Sequence, residues 1–202
     1  MTEDAPQLYL IAPARLPASE LAPRLTAVLD AHLVACLRLS GAGDEAELAR
    51  IADLAREIAH ARDVAVVIED HVALAARHGL DGVHLTQGAR GVRHARKELG
   101  ADAIVGAFCG ASRHEGMNAG EAGADYVSFG PLGPTALGPG TPVDLELLQW
   151  WSEVIEVPVV AEGALDAALI RTVWPVADFI ALGPEIWQAP DPAEALSALW
   201  PV

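Results

Sequence analysis

Cysteine, basic residues and long apolar runs are all scarce in this 202-residue chain. Two cysteines cannot build a disulfide framework, which favours a reducing, cytoplasmic compartment. Thirteen Lys and Arg oppose 28 Asp and Glu, and the resulting formal charge of −15 disfavours nucleic acid and anionic membrane surfaces as partners. No run reaches the roughly 18 apolar residues that a transmembrane helix needs. The acidic, polar first residues also lack the features of a signal peptide.

The composition that is present is that of a folded protein. Hydrophobic residues make up 52% of the chain and charged residues 20%, which suits a well-filled interior. A chain of this length is short for two independent enzyme domains, and no linker or low-complexity segment divides it. We therefore expect residues 1–202 to form one domain.

Short apolar runs alternate regularly with longer amphipathic stretches. The runs are rich in Val, Ile, Leu and Ala without strict polar alternation, which is typical of strands buried on both faces. The predicted strands are residues 8–12, 34–39, 64–68, 82–85, 103–107, 125–130, 157–163 and 177–183. The predicted helices are residues 19–32, 44–61, 71–78, 90–98, 113–122, 144–154, 164–173 and 191–199.

Eight strand-then-helix units predict an all-parallel sheet, because each return to the same edge needs a crossover. Such units most often close into a barrel of about 200 to 250 residues, so we predict a compact (βα)8 TIM barrel with eight parallel strands. An open doubly wound sheet is the alternative, although no G-x-G-x-x-G follows the first strand. The Pro/Gly-rich stretch 130–142 is then a long loop on the side of the barrel where active sites form.

Four segments resemble one known family. GLDGVHLTQ (79–87), GADYVSFGP (123–131), the Pro-Thr pair at 134–135 and VPVVAEG (157–163) occur in the order and spacing of the thiamine phosphate synthase/TenI family of (βα)8 barrels. The resemblance covers nearly the whole chain. It implies a cytoplasmic transferase of thiamine biosynthesis that joins hydroxymethylpyrimidine diphosphate to thiazole phosphate, uses Mg²⁺ and releases pyrophosphate.

The resemblance also implies a set of site residues. Arg38 and Asp70 would be catalytic, Arg38 on the diphosphate and Asp70 as the Mg²⁺ ligand. The implied substrate-binding positions are Cys36, Glu69, His84, Gln87, Thr135, Glu162, Gly163 and Gly183.

At several of these positions the chain departs from the family pattern, and it is therefore identified as a divergent member. Cys36 stands where the family has a Gln on the pyrimidine, and Ser40 replaces a Lys on the diphosphate. Glu69 replaces an Asn, and Ala89 replaces the second metal carboxylate. With Asp70 as the remaining metal ligand, Mg²⁺ is expected to bind weakly and chiefly together with a diphosphate.

Each candidate residue also has a purely structural interpretation. Arg38 ends a buried strand, where a charge needs either an anionic ligand or a salt-bridge partner. Asp70 could instead cap the helix that begins near His71, and His84 could be a hydrogen-bonded core histidine. Cys36 and Cys109 are either thiols at the barrel mouth or small buried hydrophobes.

Gly163 and Gly183 end the last two predicted strands, where barrels often bind phosphate through backbone N–H groups. Pro184 removes one such donor, and Glu162 and Glu185 bring negative charge to the same region. For Glu185 the plainer interpretation is stabilisation of a helix N-terminus.

Two functions remain open from the sequence. The first is a divergent thiamine phosphate synthase. The second is a non-catalytic binding or regulatory barrel, whose acidic mouth would favour a cationic thiamine-related ligand.

Four of the five tryptophans follow residue 149 in helical or helix-flanking positions. There they serve either packing or a contact between two copies of the chain, so a homodimer is a further expectation.

Overall fold

A computed structural model describes residues 5–13, 16–134 and 142–201. Eight parallel strands follow one another around a closed barrel in chain order, and β1 pairs with β8 to complete it. The strands are β1 Gln7–Ile11, β2 Val34–Leu39, β3 Ala65–Glu69, β4 Gly82–Leu85, β5 Ile104–Phe108, β6 Tyr126–Phe129, β7 Val159–Glu162 and β8 Phe179–Leu182. The predicted compact (βα)8 barrel is confirmed, and the open doubly wound alternative is wrong.

Helices surround the barrel between the strands. They are α1 Ala18–Ala31, α2 Glu45–His60, α3 Val72–His78, α4 Val92–Leu99, α5 Arg113–Glu121, α6 Leu145–Val154, α7 Ala167–Val173, α8 Pro184–Trp187 and α9 Pro192–Leu199. Eight of them match the predicted helices to within a few residues. The remaining helix, α8, is absent from the predicted ranges because a single turn of four residues is too short to show helical periodicity, although Glu185 was expected at a helix start.

Local chemistry sets several helix starts. The side chains of Asp44, Ser112 and Asp166 each accept a hydrogen bond from a backbone N–H of the first turn. Such caps satisfy donors that have no partner within the helix. Along α2, a buried stripe then faces the sheet at helical spacing, formed by Leu48, Ala52, Ala55 and Ala59.

The apolar interior has two parts. The larger part lies between the sheet and the helices, and it includes the fully buried Trp151. The smaller part lies inside the barrel and comprises Tyr9, Cys36, Val67, Tyr126, Val160 and Ala181. Successive strand residues point to opposite faces, so every second residue of a strand enters the barrel. Arg38 lies two residues after Cys36 on β2, and Glu162 lies two residues after Val160 on β7. Both side chains therefore also enter the barrel, nearer to its carboxyl end.

The tryptophans are used largely for packing within the chain. Trp151 donates from its indole N–H to the Val157 carbonyl, and Trp187 donates to the carbonyl of Ile11. The ring of Trp150 lies 4.8 Å beneath the Arg113 guanidinium. The homodimer stays a prediction. Within the described ranges, no helix is both long and apolar enough to cross a membrane.

Candidate functional site

The carboxyl end of the barrel is organised around Arg38. Its side chain is only 6% exposed, and NH1 donates to Glu162 Oε2 at 2.7 Å and to His84 Nε2 at 2.8 Å. The Arg38 Nε atom lies 3.3 Å from Glu69 Oε1. Four predicted site residues, from strands β2, β3, β4 and β7, thus meet inside one end of the barrel. A salt bridge, one of the two interpretations of Arg38, is present.

These contacts fix the charge states at the centre of the site. Burial by itself lowers the pKa of the Arg38 guanidinium, but the Glu162 carboxylate outweighs burial and raises that pKa above its ordinary value. Burial and then the Arg38 charge lower the pKa of His84 well below its ordinary range. Arg38 is therefore a permanent cation beside a neutral imidazole.

Two tyrosines that the sequence analysis did not single out extend this network. His84 Nδ1 lies 2.9 Å from the Tyr126 hydroxyl, which lies 2.8 Å from the Tyr9 hydroxyl. Burial raises the pKa of both phenols, so both remain protonated. The alternation of side chains along β1 and β6 places both tyrosines on the same face as other inward-pointing residues. It does not show that their hydroxyls meet across the barrel.

Glu69 and Asp70 turn away from each other. Glu69 ends β3 and reaches towards β2, where it accepts from the Gly41 N–H at 3.2 Å besides facing Arg38. Asp70 has a φ of +57°, and its carboxylate accepts from the backbone N–H of Thr86 at 2.9 Å and from the Thr86 hydroxyl. Asp tolerates this left-handed conformation better than most residues.

The expected capping role of Asp70 is wrong. Helix α3 begins with His71 at its N-cap, and no side chain caps it. The positive φ turns the Asp70 carboxylate towards the loop after β4, away from the first turn of α3. Its side chain is thus left among the loops at the carboxyl end of the barrel.

Cys36 does not lie at a strand end, because β2 continues three residues beyond it to Leu39. It borders a cavity of about 310 Å³ together with Gln7, Ile104 and Phe179, which lie at strand beginnings. That cavity opens at the opposite end of the barrel from Glu162 and Asp70. Cys109 follows β5 and is buried. Burial raises the pKa of both thiols to about 12, so neither is an activated thiolate.

The loops after β7 and β8 are occupied by a carboxylate of the chain itself. Glu185 accepts from the Gly183 N–H at 2.8 Å and from the Leu165 N–H at 3.2 Å. Gly163 has a φ of +91°, and a Cβ there would lie 2.8 Å from Pro131 Cα, which accounts for the glycine. A phosphate could use the Gly183 N–H only after Glu185 has moved.

Comparisons with known proteins agree with this architecture. The family model described as thiamine monophosphate synthase matches residues 8–186. The chain belongs to the thiamine monophosphate synthase family. It is 48% identical to the thiamine-phosphate synthase of Rhodospirillum centenum over 196 residues, which are 95% of this chain and 94% of that protein. It is 40% identical to the thiamine-phosphate synthase of Erythrobacter litoralis over 95% of this chain and 93% of that protein.

A solved structure carries the same fold. The thiamine phosphate pyrophosphorylase from Pyrococcus furiosus superposes with a TM-score of 0.80 at 23% identity, over 96% of this chain and 93% of that one. The resemblance read from four short segments is thus confirmed.

Two residues predicted from the family resemblance remain, Gln87 and Thr135. Gln87 is exposed in the loop after β4, with its amide oxygen 3.3 Å from Arg90 NH1. Thr135 lies outside the described residues. A cavity of about 390 Å³ between the loops after β1 and β2 contains none of the predicted site residues, and it is lined by Leu16, Pro17, Ala42, Gly43, Asp44, Glu47 and Ile51.

Proposed function

We propose that this member of the thiamine monophosphate synthase family is an active synthase. It would join hydroxymethylpyrimidine diphosphate to thiazole phosphate and release pyrophosphate. The observation that carries the proposal is the permanently charged Arg38, held by two hydrogen bonds at the carboxyl end of the barrel. A guanidinium fixed in this way is already oriented, so a diphosphate that displaces the Glu69 carboxylate from Nε binds it with little loss of side-chain freedom. The names of the bacterial relatives support the same activity.

The proposed reaction breaks one bond and forms another. The C–O bond between the pyrimidine methylene and the diphosphate breaks, and its electron pair leaves with pyrophosphate. The lone pair of the thiazole nitrogen then forms the new C–N bond, which leaves the positive charge on a thiazolium ring. Arg38 stabilises the departing anion. Glu69 and Glu162 lie beside it and stabilise the positive charge that develops on the pyrimidine.

Among the residues that the structure describes, Asp70 is the one through which Mg²⁺ fits this site. Among the described residues, no group of three or more His, Cys, Asp or Glu side chains could enclose an ion. Asp70, however, offers one carboxylate held in place by Thr86. Mg²⁺ is commonly bound by one or two carboxylates and completed by substrate phosphates and water. Asp70 would hold the ion together with the diphosphate, and the ion would supply charge neutralisation of the leaving group.

The test is a steady-state assay with both substrates and Mg²⁺ that detects thiamine phosphate and pyrophosphate. The double variant Arg38→Ala, Asp70→Ala is expected to lose at least about a hundredfold in kcat/KM, because it removes the groups that stabilise the leaving anion. Arg77→Ala, at an exposed arginine that pairs with Glu45, is the matched control and should retain activity. Turnover by the parent equal to that of the double variant would overturn the proposal, and calorimetry with unphosphorylated thiamine would then test the binding alternative.

A further inference from the structure

A chain of hydrogen bonds runs from Arg38 through the barrel interior to Tyr126 and Tyr9, which line the cavity of about 310 Å³ at the opposite end. It passes from Arg38 NH1 to His84 Nε2 at 2.8 Å, from His84 Nδ1 to the Tyr126 hydroxyl at 2.9 Å, and on to the Tyr9 hydroxyl at 2.8 Å. All four residues are buried. Nothing in the reaction chemistry above uses the two tyrosines.

The proton positions along this chain follow from its first member. A guanidinium N–H can only donate, so His84 Nε2 must accept with its lone pair. The single ring proton of a neutral imidazole is then on Nδ1, and it is donated to the Tyr126 oxygen. The Tyr126 hydroxyl keeps its own proton, which can be donated to Tyr9. The chain therefore requires the Nδ1–H tautomer of His84.

The packing around Tyr126 supports this arrangement. Gly106 faces the Tyr126 ring from β5, and a Cβ at that position would overlap the ring. The His84 and Tyr126 rings stack at a centroid distance of 5.7 Å and an angle of 19°. The absence of a side chain at Gly106 thus gives Tyr126 the room to place its hydroxyl under His84.

The same bonds determine which edge of Arg38 remains for a ligand. Both protons of NH1 are used, one by Glu162 and one by His84. Nε is buried and makes no hydrogen bond within the part of the chain that the structure describes, although it lies 3.3 Å from Glu69 Oε1. The Nε–NH2 side of the guanidinium fork has the geometry for bidentate contact with a phosphate group, and the Glu69 carboxylate must move away from Nε before a phosphate can take its place.

We propose that Tyr126, supported by Tyr9, is a positioning residue of this site. Its hydroxyl accepts from Nδ1–H of the His84 tautomer that Arg38 requires and so fixes the imidazole ring, His84 holds NH1 of Arg38, and the Nε–NH2 edge is thereby held in one place for the diphosphate. The part of this inference that concerns the substrate rests on the proposed synthase function. The tautomer does not depend on that function and can be measured separately.

The first test is ¹⁵N NMR of the histidine ring nitrogens in the full chain at pH 7.5, with His84→Asn used to assign the signals of His84. Protonated and unprotonated ring nitrogens are well separated in such spectra, so the tautomer is read directly. We expect an unprotonated Nε2 and a protonated Nδ1 in the parent. In Tyr126→Phe, Nε2 should stay unprotonated because Arg38 still donates to it, while the Nδ1 signal shifts because Nδ1–H has lost its acceptor. An Nε2–H tautomer in the parent would overturn the inference, whatever the enzyme's activity.

The second test is kinetic. Tyr126→Phe should lower kcat/KM for the pyrimidine diphosphate about tenfold, the size expected for the loss of one buried hydrogen bond to the positioning chain. The KM for thiazole phosphate should not change. Tyr9→Phe removes only the last link and should have a smaller effect, about twofold to threefold.

A purely structural role predicts a different pattern. Both variants would then lose folded protein and leave both KM values at the parental level, and that outcome would refute the positioning role. If Tyr126→Phe does not fold, Tyr9→Phe decides the matter, because a folded Tyr9→Phe with the parental kcat/KM would refute the positioning role. If the parent shows no turnover, the proposed function fails while the NMR result continues to test the hydrogen-bond chain.

Discussion

The buried ion pair between Arg38 and Glu162 makes an asymmetric prediction for stability. Arg38 NH1 lies 2.7 Å from Glu162 Oε2, and the two side chains are 6% and 12% exposed. Glu69, at 22% exposure, approaches the same guanidinium at 3.3 Å. Removing Glu162 leaves the arginine with one carboxylate. Removing Arg38 leaves two carboxylates with no cation between them.

The magnitudes follow from this difference. Arg38→Met should cost about 3–5 kcal/mol in the free energy of unfolding, because it leaves a buried charge without its partner. Glu162→Gln should cost only about 1–2 kcal/mol, because the Gln carbonyl can still accept from NH1. The double variant should cost about 1–2 kcal/mol less than the sum of the two, since the most buried carboxylate is no longer left unpaired.

Urea unfolding of the four proteins measures these energies, provided that the denaturant dependence m stays constant. The control is the same cycle on Arg77 and Glu45, a pair of similar length, 2.8 Å, with side chains 63% and 75% exposed. Its coupling should lie within about 0.5 kcal/mol of zero. The reasoning is refuted if Glu162→Gln costs as much as Arg38→Met, or if the two substitutions are additive.

Three further predictions concern other parts of the molecule. Burial raises the pKa of the Cys36 and Cys109 thiols to about 12. Alkylation by iodoacetamide at pH 8 should therefore be slow in the native protein and fast in urea, and fast labelling of the native protein would contradict the burial of these thiols. Ala164 has a φ of +54°, so Ala164→Gly should raise the free energy of unfolding by about 0.5–1 kcal/mol in urea titrations, and a loss of stability would argue against strain there. Asp70→Asn should raise the Mg²⁺ concentration that half-saturates the synthase assay by about tenfold or more. The control Asp53→Asn, at an exposed carboxylate, should leave that concentration unchanged. Equal half-saturating concentrations for the two variants would exclude Asp70 as a ligand.

Much of the fold could be predicted because the relevant information is local. Strands such as Val34–Leu39 are apolar on both sides, and helices such as Glu45–His60 carry a stripe of spaced apolar residues. These patterns recur within a single element, so each can be recognised without knowing its neighbours. Their regular alternation then predicts parallel strands and, from their number, a closed barrel.

The candidate site could be predicted only in part. Arg38 at the end of an apolar strand signals a buried charge that needs a partner, but the partner, Glu162, lies 124 positions further along the chain. Asp70 was expected either to bind metal or to cap α3, and only the positive φ, which turns the carboxylate to Thr86, excludes the cap. Glu185 does lie at a helix start, in the first turn of α8, as expected, but its second hydrogen bond, from the Leu165 N–H, depends on the tertiary structure.

By itself the sequence determined the order of strands and helices, the family and the residues that could carry charge into the barrel. The tertiary structure alone decided which of those residues meet. Tyr9 and Tyr126 are separated by 117 positions, yet their hydroxyls lie 2.8 Å apart. The physical reason is that alternation along a strand determines only which side chains share a face, whereas the level at which side chains of different strands meet depends on the register of all eight strands once the sheet has closed.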